Sequence, residues 1–592
     1  MHIMEGFLPL HWSVFWTIVC IPVLIFGIRS MKKLFSEHPE KKLSVALSGA
    51  FIVILSSLKI PSVTGSSSHP TGTGMCVMFS GPAVTAVICT IVLLFQGTFM
   101  AHGGFTTIGA NVFSMGIAGP FAAYSVYKFL NKRKINPTAT VFATVFVADI
   151  ATYLVTALQL SLVVLTEASG TSFLDTYSTF FGIFALTQVP IAIAEGALMV
   201  FFFRYLSGVR PELVKDMGYD GTAAGRSDIF DSAAKAKKSG NRNMLILFSI
   251  TLTVMVLVVC VTTFFYDIGG ADDAGAGAIE ILVPGYEQWS DNFMQIGEFG
   301  ISILFLIQTA IGVLILASAL YLLIRKKHDH GNEFSTVDVF AYGSRMVGWS
   351  PLAKLLLVVS LLIINIASPS IWMAVFTGAI GFILLLYGSS LRPPAIMRRL
   401  FIYAQVLIII SVLIFAVVTD GETVMRISVF GFAIDFSDAG VSLALLIYAR
   451  ATASLLIMFA FAASTPVPHL SAALRKLRFP GVFVEMMVLI YRYTFLLMES
   501  AEKMHTAAEC RLGYSSYRKS MRTTSRLSVG VFTRSLDTAE RGQITLQCRN
   551  YKGEFPCLSD FETRSILPTI LCAAAVIAAL VFLLYTLEVF SL

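Results

Sequence analysis

Apolar segments of about 20 residues recur along the whole chain and restrict what it can fold into. A hydrocarbon core about 30 Å thick needs about 20 apolar residues for each helical span. Of the 592 residues, 56% are hydrophobic and 13% are charged, whereas average soluble domains carry about 25% charged residues. Backbone groups in lipid must bond within their own segment, so the spans are predicted to be helices. We therefore predict an all-α polytopic membrane protein with about 14 transmembrane segments, arranged as about seven, two and five.

Clusters of Lys and Arg predict how the first spans are oriented. Cations lie at 29–42 and again at 128–134, and the positive-inside rule places both loops in the cytoplasm and the N-terminus outside. Residues 71–97 must then start and finish outside. Gly81 and Pro82 divide this segment, which predicts a broken helical hairpin. The net charge of +7 collects in such loops, so it predicts topology and not nucleic-acid binding.

Changes in composition predict three parts of the chain. Residues 1–215 form the first part, and residues 216–334 contain a polar linker followed by two spans. Residues 335–592 form the third part. Within it, residues 465–563 combine apolar periodicity with many cations, which predicts cytoplasmic amphipathic helices at the membrane face or under a partner.

The start of the chain offers nitrogen ligands for a transition metal. We expect a free Met1 amine, because His2 is too bulky for the usual removal of the initiator methionine. The Met1 amine, the His2 amide nitrogen and one His2 imidazole nitrogen can bind one cation in a plane, a field that suits Cu(II), Ni(II) and, by extension, Co(II). His69, within the Gly-, Ser- and Thr-rich stretch 65–74, is predicted on the same outer face and could supply a fourth nitrogen. The alternative is an ordinary chain start and a solvated loop histidine.

Several other polar residues have two interpretations each. In the glycine-rich stretch 96–111, the Gly-Gly pair with the flanking His102 and Asn111 could support or orient metal ligands. For His102, a glycine-rich turn with positive φ is the favoured interpretation. Asp149 and Glu195 lie within apolar segments, where carboxylates are expensive and usually functional. Helix-packing hydrogen bonds are the alternative for both, and the same alternatives apply to Arg450.

A Cys-Arg pair occurs twice in the basic stretch of the third part. Cys510-Arg511 and Cys548-Arg549 each follow a predicted helix and have Gly and Tyr nearby. An Arg at a helix end can form a bidentate bridge to a partner's carboxylate. The alternative is a solvated cationic face near anionic lipid. The sequence has no G-x-x-x-x-G-K-[ST] motif, so no ATP site of that type is predicted.

These motifs together resemble a known transporter family. Residues 1–210, with MHIMEG, SSSHPTGTG and HGGFTTIGANVFSMGIAGP, resemble the substrate-binding component of cobalt and nickel energy-coupling-factor (ECF) transporters, which is called CbiM-like. Residues 243–324, with GGADDAGAGAIEILVPGYEQW, resemble the two-span auxiliary component, which is CbiN-like. Residues 335–592 resemble the transmembrane coupling component, which is CbiQ-like, with CRLGY and CRNYKGEF at its paired coupling motifs.

The coupling motifs depart from the family pattern at three positions. Leu512 follows the first Arg, and Cys548 and Asn550 replace the Ala and Gly of the second motif. These changes affect the flexibility expected of the backbone there, but each Arg is kept.

The resemblance implies a mechanism. Met1, His2 and His69 would bind Co(II), with Ni(II) as the alternative ion, outside the cell. Two copies of a cytoplasmic ECF ATPase, CbiO-like and encoded elsewhere, would dock near Arg511 and Arg549 and drive import. The chain would be a transporter permease without catalytic residues or a prosthetic group. It would lie among the lipids of a bacterial or archaeal cytoplasmic (inner) membrane and bind no nucleic acid.

Two other functions remain open from the residues alone. One is an ion-coupled secondary metal transporter, with Asp149 and Glu195 as proton carriers. The other is a membrane metal sensor whose cytoplasmic helices contact a signalling partner.

Overall fold

A computed structural model describes residues 2–209, 340–389, 398–549 and 566–591, with short gaps inside the first and third of these ranges. The predicted two-span auxiliary part therefore lies outside the described residues. So do Met1, His102 and Asn550.

The first part of the chain is a set of helices with a small sheet at its N-terminal end. The strands are β1 His2–Ile3, β2 Ile60–Pro61 and β3 Ser66–Ser68. They form an antiparallel sheet in the order β1-β3-β2. The helices are α1 Leu10–Glu37, α2 Lys41–Ser56, α3 Thr73–Ser80, α4 Pro82–Met100, α5 Ile108–Asn111, α6 Gly119–Lys132, α7 Pro137–Glu167 and α8 Phe173–Val209, with a π-helical segment Val112–Ala118 between α5 and α6.

The described residues after 340 are also mainly helical. The helices are α9 Pro351–Ala367, α10 Ile371–Gly388, α11 Asp438–Ser464, α12 Val467–Lys476, α13 Gly481–Cys510, α14 Tyr517–Cys548 and α15 Leu567–Ser591. Helix α9 shows a usual start signal, because the Ser350 hydroxyl accepts a bond from the Ala353 N–H at 3.5 Å and proline follows at the first helical position. Two strands, β4 Thr423–Val429 and β5 Phe432–Ser437, form an antiparallel hairpin that the sequence analysis did not predict.

The prediction of an all-α polytopic membrane protein is confirmed. Seven helices in the described part of the chain are long and apolar enough to cross a membrane. Helix α9 and the stretch Pro82–Thr98 of α4 are shorter apolar helices. The total of about 14 spans remains a prediction, since it includes segments outside the described residues.

The break predicted in the segment 71–97 occurs at Gly81. This residue separates α3 from α4 and has φ of +75°, a conformation that favours glycine. Strand β3, before α3, pairs with β1. After α4, the Thr107 hydroxyl donates to the Ile3 carbonyl oxygen. Both ends of the segment thus meet the N-terminal strand, as a hairpin requires.

One helix differs from the sequence analysis, which placed all of 465–563 at the cytoplasmic face. Helix α13 is long and apolar enough to cross a membrane. Its N-terminal half includes Val484, Met487 and Ile490, which are all buried. The many charges of the wider stretch lie outside this half, so a charge count over the whole stretch concealed an apolar helix.

Helix α2 packs between α13 and α14 and joins the first part to the later helices. Gly49 approaches α13 so closely that a Cβ on it would lie 2.8 Å from Cδ1 of Ile490. On α14, the Phe532 ring meets the Phe202 ring edge-on, with centroids 4.5 Å apart, and also meets Phe51 at 5.6 Å. The two parts therefore share one buried core.

Candidate metal site at the N-terminal strand

The strand pairing brings the two histidines of the predicted site into contact. The His2 and His69 rings are stacked, with centroids 4.4 Å apart and planes at 17°. Nε2 of His69 lies 2.6 Å from Nδ1 of His2, and both side chains are fully buried. Pairing of β1 with β3 causes this contact, because it aligns His2 with the residues just before His69.

The Pro70 carbonyl oxygen fixes the place of one proton in the histidine pair. Nδ1 of His69 lies 2.9 Å from this oxygen. A carbonyl oxygen only accepts, so Nδ1 of His69 carries a proton and donates to it. Whenever the His69 ring is neutral, Nε2 presents its lone pair to Nδ1 of His2. One proton lies between two nitrogens that can both bind a metal once it leaves.

The backbone next to His2 is held by a single amide side chain. The Ile3 N–H donates to Oδ1 of Asn111 at 2.8 Å, and Nδ2 of Asn111 donates to the Ile3 carbonyl oxygen at 3.0 Å. The Thr107 hydroxyl donates to the same oxygen at 3.0 Å. These three bonds fix the direction in which the strand carries His2.

Glu5 is held by the glycine-rich loop that follows α4. The Thr106 N–H donates to Oε2 of Glu5 at 3.2 Å, and the Thr106 hydroxyl donates to Oε1. A Cβ on Gly104 would lie 1.8 Å from Oε2, so only glycine fits there. Burial raises the pKa of the Glu5 carboxyl to about 7, although the bonds from Thr106 act to lower it.

A second carboxylate holds the turn that carries His69. The Thr71 N–H donates to Oε2 of Glu195 at 2.7 Å, and the Gly72 N–H donates to Oε1 at 2.8 Å. Gly72 has φ of +68°, which the tight turn requires. The Asp149 carboxyl lies beside Glu195 and Thr71. Glu195 thus binds a loop backbone, a role that the sequence analysis did not foresee.

The structure gives Arg450 a packing role. Nη2 of Arg450 donates a hydrogen bond to the Ser368 carbonyl oxygen. Nδ2 of Asn365 donates to the Arg450 carbonyl oxygen at 3.0 Å. These bonds tie α11 to the end of α9, as the helix-packing interpretation expects.

The two predicted coupling arginines follow the ends of long helices. Arg511 is the C-cap of α13, and Arg549 comes directly after α14; both are exposed. The turn after Arg511 is well held: Leu512 has φ of +55° and is 69% exposed, and the Gly513 N–H donates to the Ala508 carbonyl oxygen at 2.9 Å. Most of the CRNYKGEF motif lies outside the described residues.

The sequence analysis missed three residues that hold the N-terminal strand: Glu5, Thr106 and Thr107. All three lie in the stretches MHIMEG and HGGFTTIGAN. The second stretch was considered as support for metal ligands through His102 and Asn111, and the turn interpretation was favoured for His102. Asn111 does hold the backbone next to His2. Within the described residues, no group of three or more His, Cys, Asp or Glu side chains is arranged to hold a metal.

Three protein-family models match consecutive parts of the chain. The cobalt uptake substrate-specific transmembrane region matches residues 2–213. The cobalt transport protein component CbiN matches residues 239–333, and the cobalt transport protein CbiQ matches residues 344–557. A protein named as a fused cobalt transport protein, CbiMQ, from Methanocorpusculum labreanum is 33% identical over 584 residues, which cover 93% of this chain and 94% of that protein. The chain belongs to the fused cobalt transport proteins.

Shorter relatives match the first part alone. A protein named as a cobalt transport protein, CbiM 2, from the same organism is 50% identical over 219 residues, which cover 37% of this chain and 94% of the relative. The cobalt transport protein CbiM of Streptococcus sanguinis is 51% identical over 207 residues, covering 35% of this chain and 84% of its own. A solved truncated transition metal transporter covers 35% of this chain at a TM-score of 0.32 and 24% identity, values too low to support a structural argument.

Family membership sets the general function. The fused cobalt transport protein is a multi-pass membrane component for cobalt uptake, and cobalt is its transported substrate. It is a transporter.

Proposed function

We propose that this chain captures Co(II) outside the cell at Met1, His2 and His69, as the membrane subunit of an ATP-driven ECF importer. The observation that carries the proposal is the 2.6 Å contact between Nδ1 of His2 and Nε2 of His69. Two buried imidazole nitrogens share one proton beside the N-terminus, and its loss would leave two lone pairs directed at one point.

The chemistry of capture is an exchange of protons for a metal ion. A ligating imidazole must be neutral and unprotonated at the ligating nitrogen, so metal binding releases protons. Nδ1 of His2 is the ring nitrogen that can close a chelate ring with the amide nitrogen of the same residue. Two nitrogens bound at right angles to one ion, each at about 2.0–2.1 Å, are about 2.9 Å apart. The two nitrogens therefore have to separate by a few tenths of an ångström, and the two rings have to turn so that both lone pairs point at the ion.

The three parts of the chain would divide the work. Residues 1–215 bind the metal, residues 216–334 contain the auxiliary spans, and residues 335–592 couple transport to ATP hydrolysis. Two copies of a cytoplasmic CbiO-like ATPase dock at Arg511 and Arg549, which are exposed after two helix ends. The protein acts in a bacterial or archaeal cytoplasmic membrane, with its N-terminus outside.

Nickel is the second candidate substrate. A planar field of nitrogens suits Ni(II), which binds more tightly than Co(II) to most nitrogen sites. The relatives are named for cobalt, and this favours Co(II) as the transported ion.

The proposed capture site is tested by lengthening the N-terminus. A Gly-Ser extension before Met1 converts its amine into an amide, so we expect loss of Co(II) binding with retained helical content. The matched control carries the same two residues after Leu592. Binding is measured by chelator competition on the purified chain. Equal affinity in the two extended proteins would exclude the Met1 amine as a ligand.

A further inference from the structure

The loop that holds the N-terminal strand also reaches the later part of the chain. Phe105 lies between Gly104, which faces Glu5, and Thr106, which donates to Glu5. Its ring meets that of Phe461 in α11 edge-on, with centroids 6.3 Å apart and planes at 75°. A helix of the predicted coupling part therefore contacts the loop that holds the metal-binding strand.

Other buried residues of the N-terminal segment join the same helix. Ile3 and Leu8 belong to one buried cluster with Phe459, Ala460 and Ala463 of α11. Phe461 itself is 1% exposed, so its ring is fixed within the core. The N-terminal segment thus shares a buried cluster with residues near the C-terminal end of α11, and its supporting loop contacts that end through Phe105.

We propose that α11 holds the metal site in its binding geometry through the contact of Phe461 with Phe105. The inference rests on the proposed capture site. It adds that the metal affinity of this site depends on the position of α11. Phe105 and Phe461 are positioning residues, because they act on the metal through Glu5 and Ile3 and touch no predicted ligand.

The physical basis is preorganisation of the loop. Residues 103–107 fix the strand through bonds to Glu5 and Ile3, and a loop held in its bound conformation spares the ordering cost when the ligand binds. Reciprocity then requires that metal binding favours the packed position of α11 by the same factor as that position favours metal binding. A movement of α11 during the ATPase cycle would accordingly weaken the site and release the metal.

The test is a double-mutant cycle on Co(II) affinity. We expect Phe105→Ala and Phe461→Ala each to weaken Co(II) binding about 2- to 10-fold, the range of an aromatic pair. The double variant should be no weaker than the single variants, because both remove one contact. The matched control is Phe376→Ala, which removes an aromatic pair with Phe582 at 4.8 Å wholly within the later helices and should bind as the wild type does.

The outcomes separate this inference from the proposed function. Three results would each overturn the role of the contact. They are an unchanged Co(II) affinity in Phe461→Ala, equal losses of affinity in Phe461→Ala and Phe376→Ala, and additive losses in the double variant. A wild-type chain that binds no Co(II) would contradict the proposed capture site itself. Phe461→Leu keeps an apolar side chain and replaces the alanine variant if the latter does not fold; the same loss is expected of it.

Discussion

At the scale of single residues, Glu195 of α8 holds the loop that carries His69 of the proposed metal site. Its two oxygens accept the N–H groups of Thr71 and Gly72, so a carboxylate on α8 fixes the turn after His69. Residues that orient metal ligands in this way typically account for a 10- to 100-fold difference in affinity. His69 lies in a loop and not in a helix, and the hydrogen bonds that Glu195 accepts from the next turn explain how its position is fixed.

Glu195→Gln should weaken Co(II) binding about 10- to 100-fold. A Gln side chain has one acceptor oxygen, which can keep the hydrogen bond from one of the two backbone N–H groups. Its NH2 group would face the other backbone N–H, and two donors cannot bond to each other. One of the two hydrogen bonds is therefore lost and the turn loosens. Chelator competition on the purified variant measures the change. Thr90→Val is the control, because that hydroxyl donates only within its own helix, to the Ala86 carbonyl oxygen. Wild-type affinity in Glu195→Gln would show that the clamp does not serve the site.

Glu5 predicts a pH dependence of stability. Burial raises its pKa from an ordinary 4.5 to about 7, so between these values the folded chain keeps a proton that the unfolded chain loses. The free energy of unfolding therefore falls as the pH rises through this window and levels off above it, by at most roughly 3 kcal/mol. Glu5→Gln should gain stability relative to wild type from about pH 5 to about pH 8. Unfolding midpoints of the metal-free proteins measure the difference, and one that is constant with pH would contradict the assignment.

The histidines could be predicted from the sequence, but the bonds that hold them could not. His2 and His69 are chemically distinctive and lie in recognisable motifs. Asn111 bonds to Ile3 across more than 100 residues, and no local periodicity carries such information. Glu195 drew attention as an intramembrane carboxylate, yet only the fold reveals that its partner is a loop backbone.

At the scale of elements, a buried ion pair joins helix α2 to α13 in addition to their apolar packing. Nζ of Lys42 lies 2.6 Å from Oε2 of Glu485 on α13, and the two side chains are 7% and 4% exposed. Removing one partner of such a pair leaves a buried charge, which typically costs about 3–5 kcal/mol. The pair therefore fixes which surfaces of the two helices meet.

Lys42→Met should destabilise the protein by about 3–5 kcal/mol, and Lys42→Met with Glu485→Leu should recover much of that loss. The reason is that the double change removes both charges and keeps apolar volume. Thermal unfolding of the purified chain provides the measurement. The control is the ion pair between Lys503 and Glu499 in the C-terminal part of α13. This pair is exposed, so its loss should change stability little. A double variant as unstable as the sum of the singles would contradict the pairing.

Helix α13 also shows a limit of predicting helices from average composition. Its apolar half was hidden from the sequence analysis by the many charges that follow it in the same stretch. The break at Gly81 was predicted correctly, because glycine followed by proline in an apolar segment has a direct backbone cause. Segment averages fail where one helix leaves an apolar environment part-way along its length.

At the scale of the whole molecule, metal capture and coupling are predicted to be separable. Arg511→Ala with Arg549→Ala should leave Co(II) binding intact and abolish uptake. Loss of an Arg from a desolvated pair costs about 2–5 kcal/mol, which corresponds to roughly 30-fold to several-thousand-fold weaker docking of the ATPase. Uptake of radioactive cobalt by cells that also produce the ATPase measures this.

The control for this prediction removes the same charge elsewhere. Arg526 and Arg541 are exposed within α14 and not at helix ends, so Arg526→Ala with Arg541→Ala should still transport. If these helices only lay on anionic lipid, each Arg would contribute about 1 kcal/mol regardless of position. The two double variants would then transport equally.

The partners of the buried ion pair are made at very different times. Lys42 and Glu485 are roughly 440 residues apart, and synthesis at about 5–20 residues per second separates them by roughly 20 to 90 seconds. Until Glu485 is inserted, we expect Lys42 to extend its stem toward the lipid headgroups. The N-terminal part thus completes its packing only after most of the chain exists. Because both residues belong to one polypeptide, each Lys42 has one Glu485 available to pair with. Separately made subunits would have to find each other by diffusion.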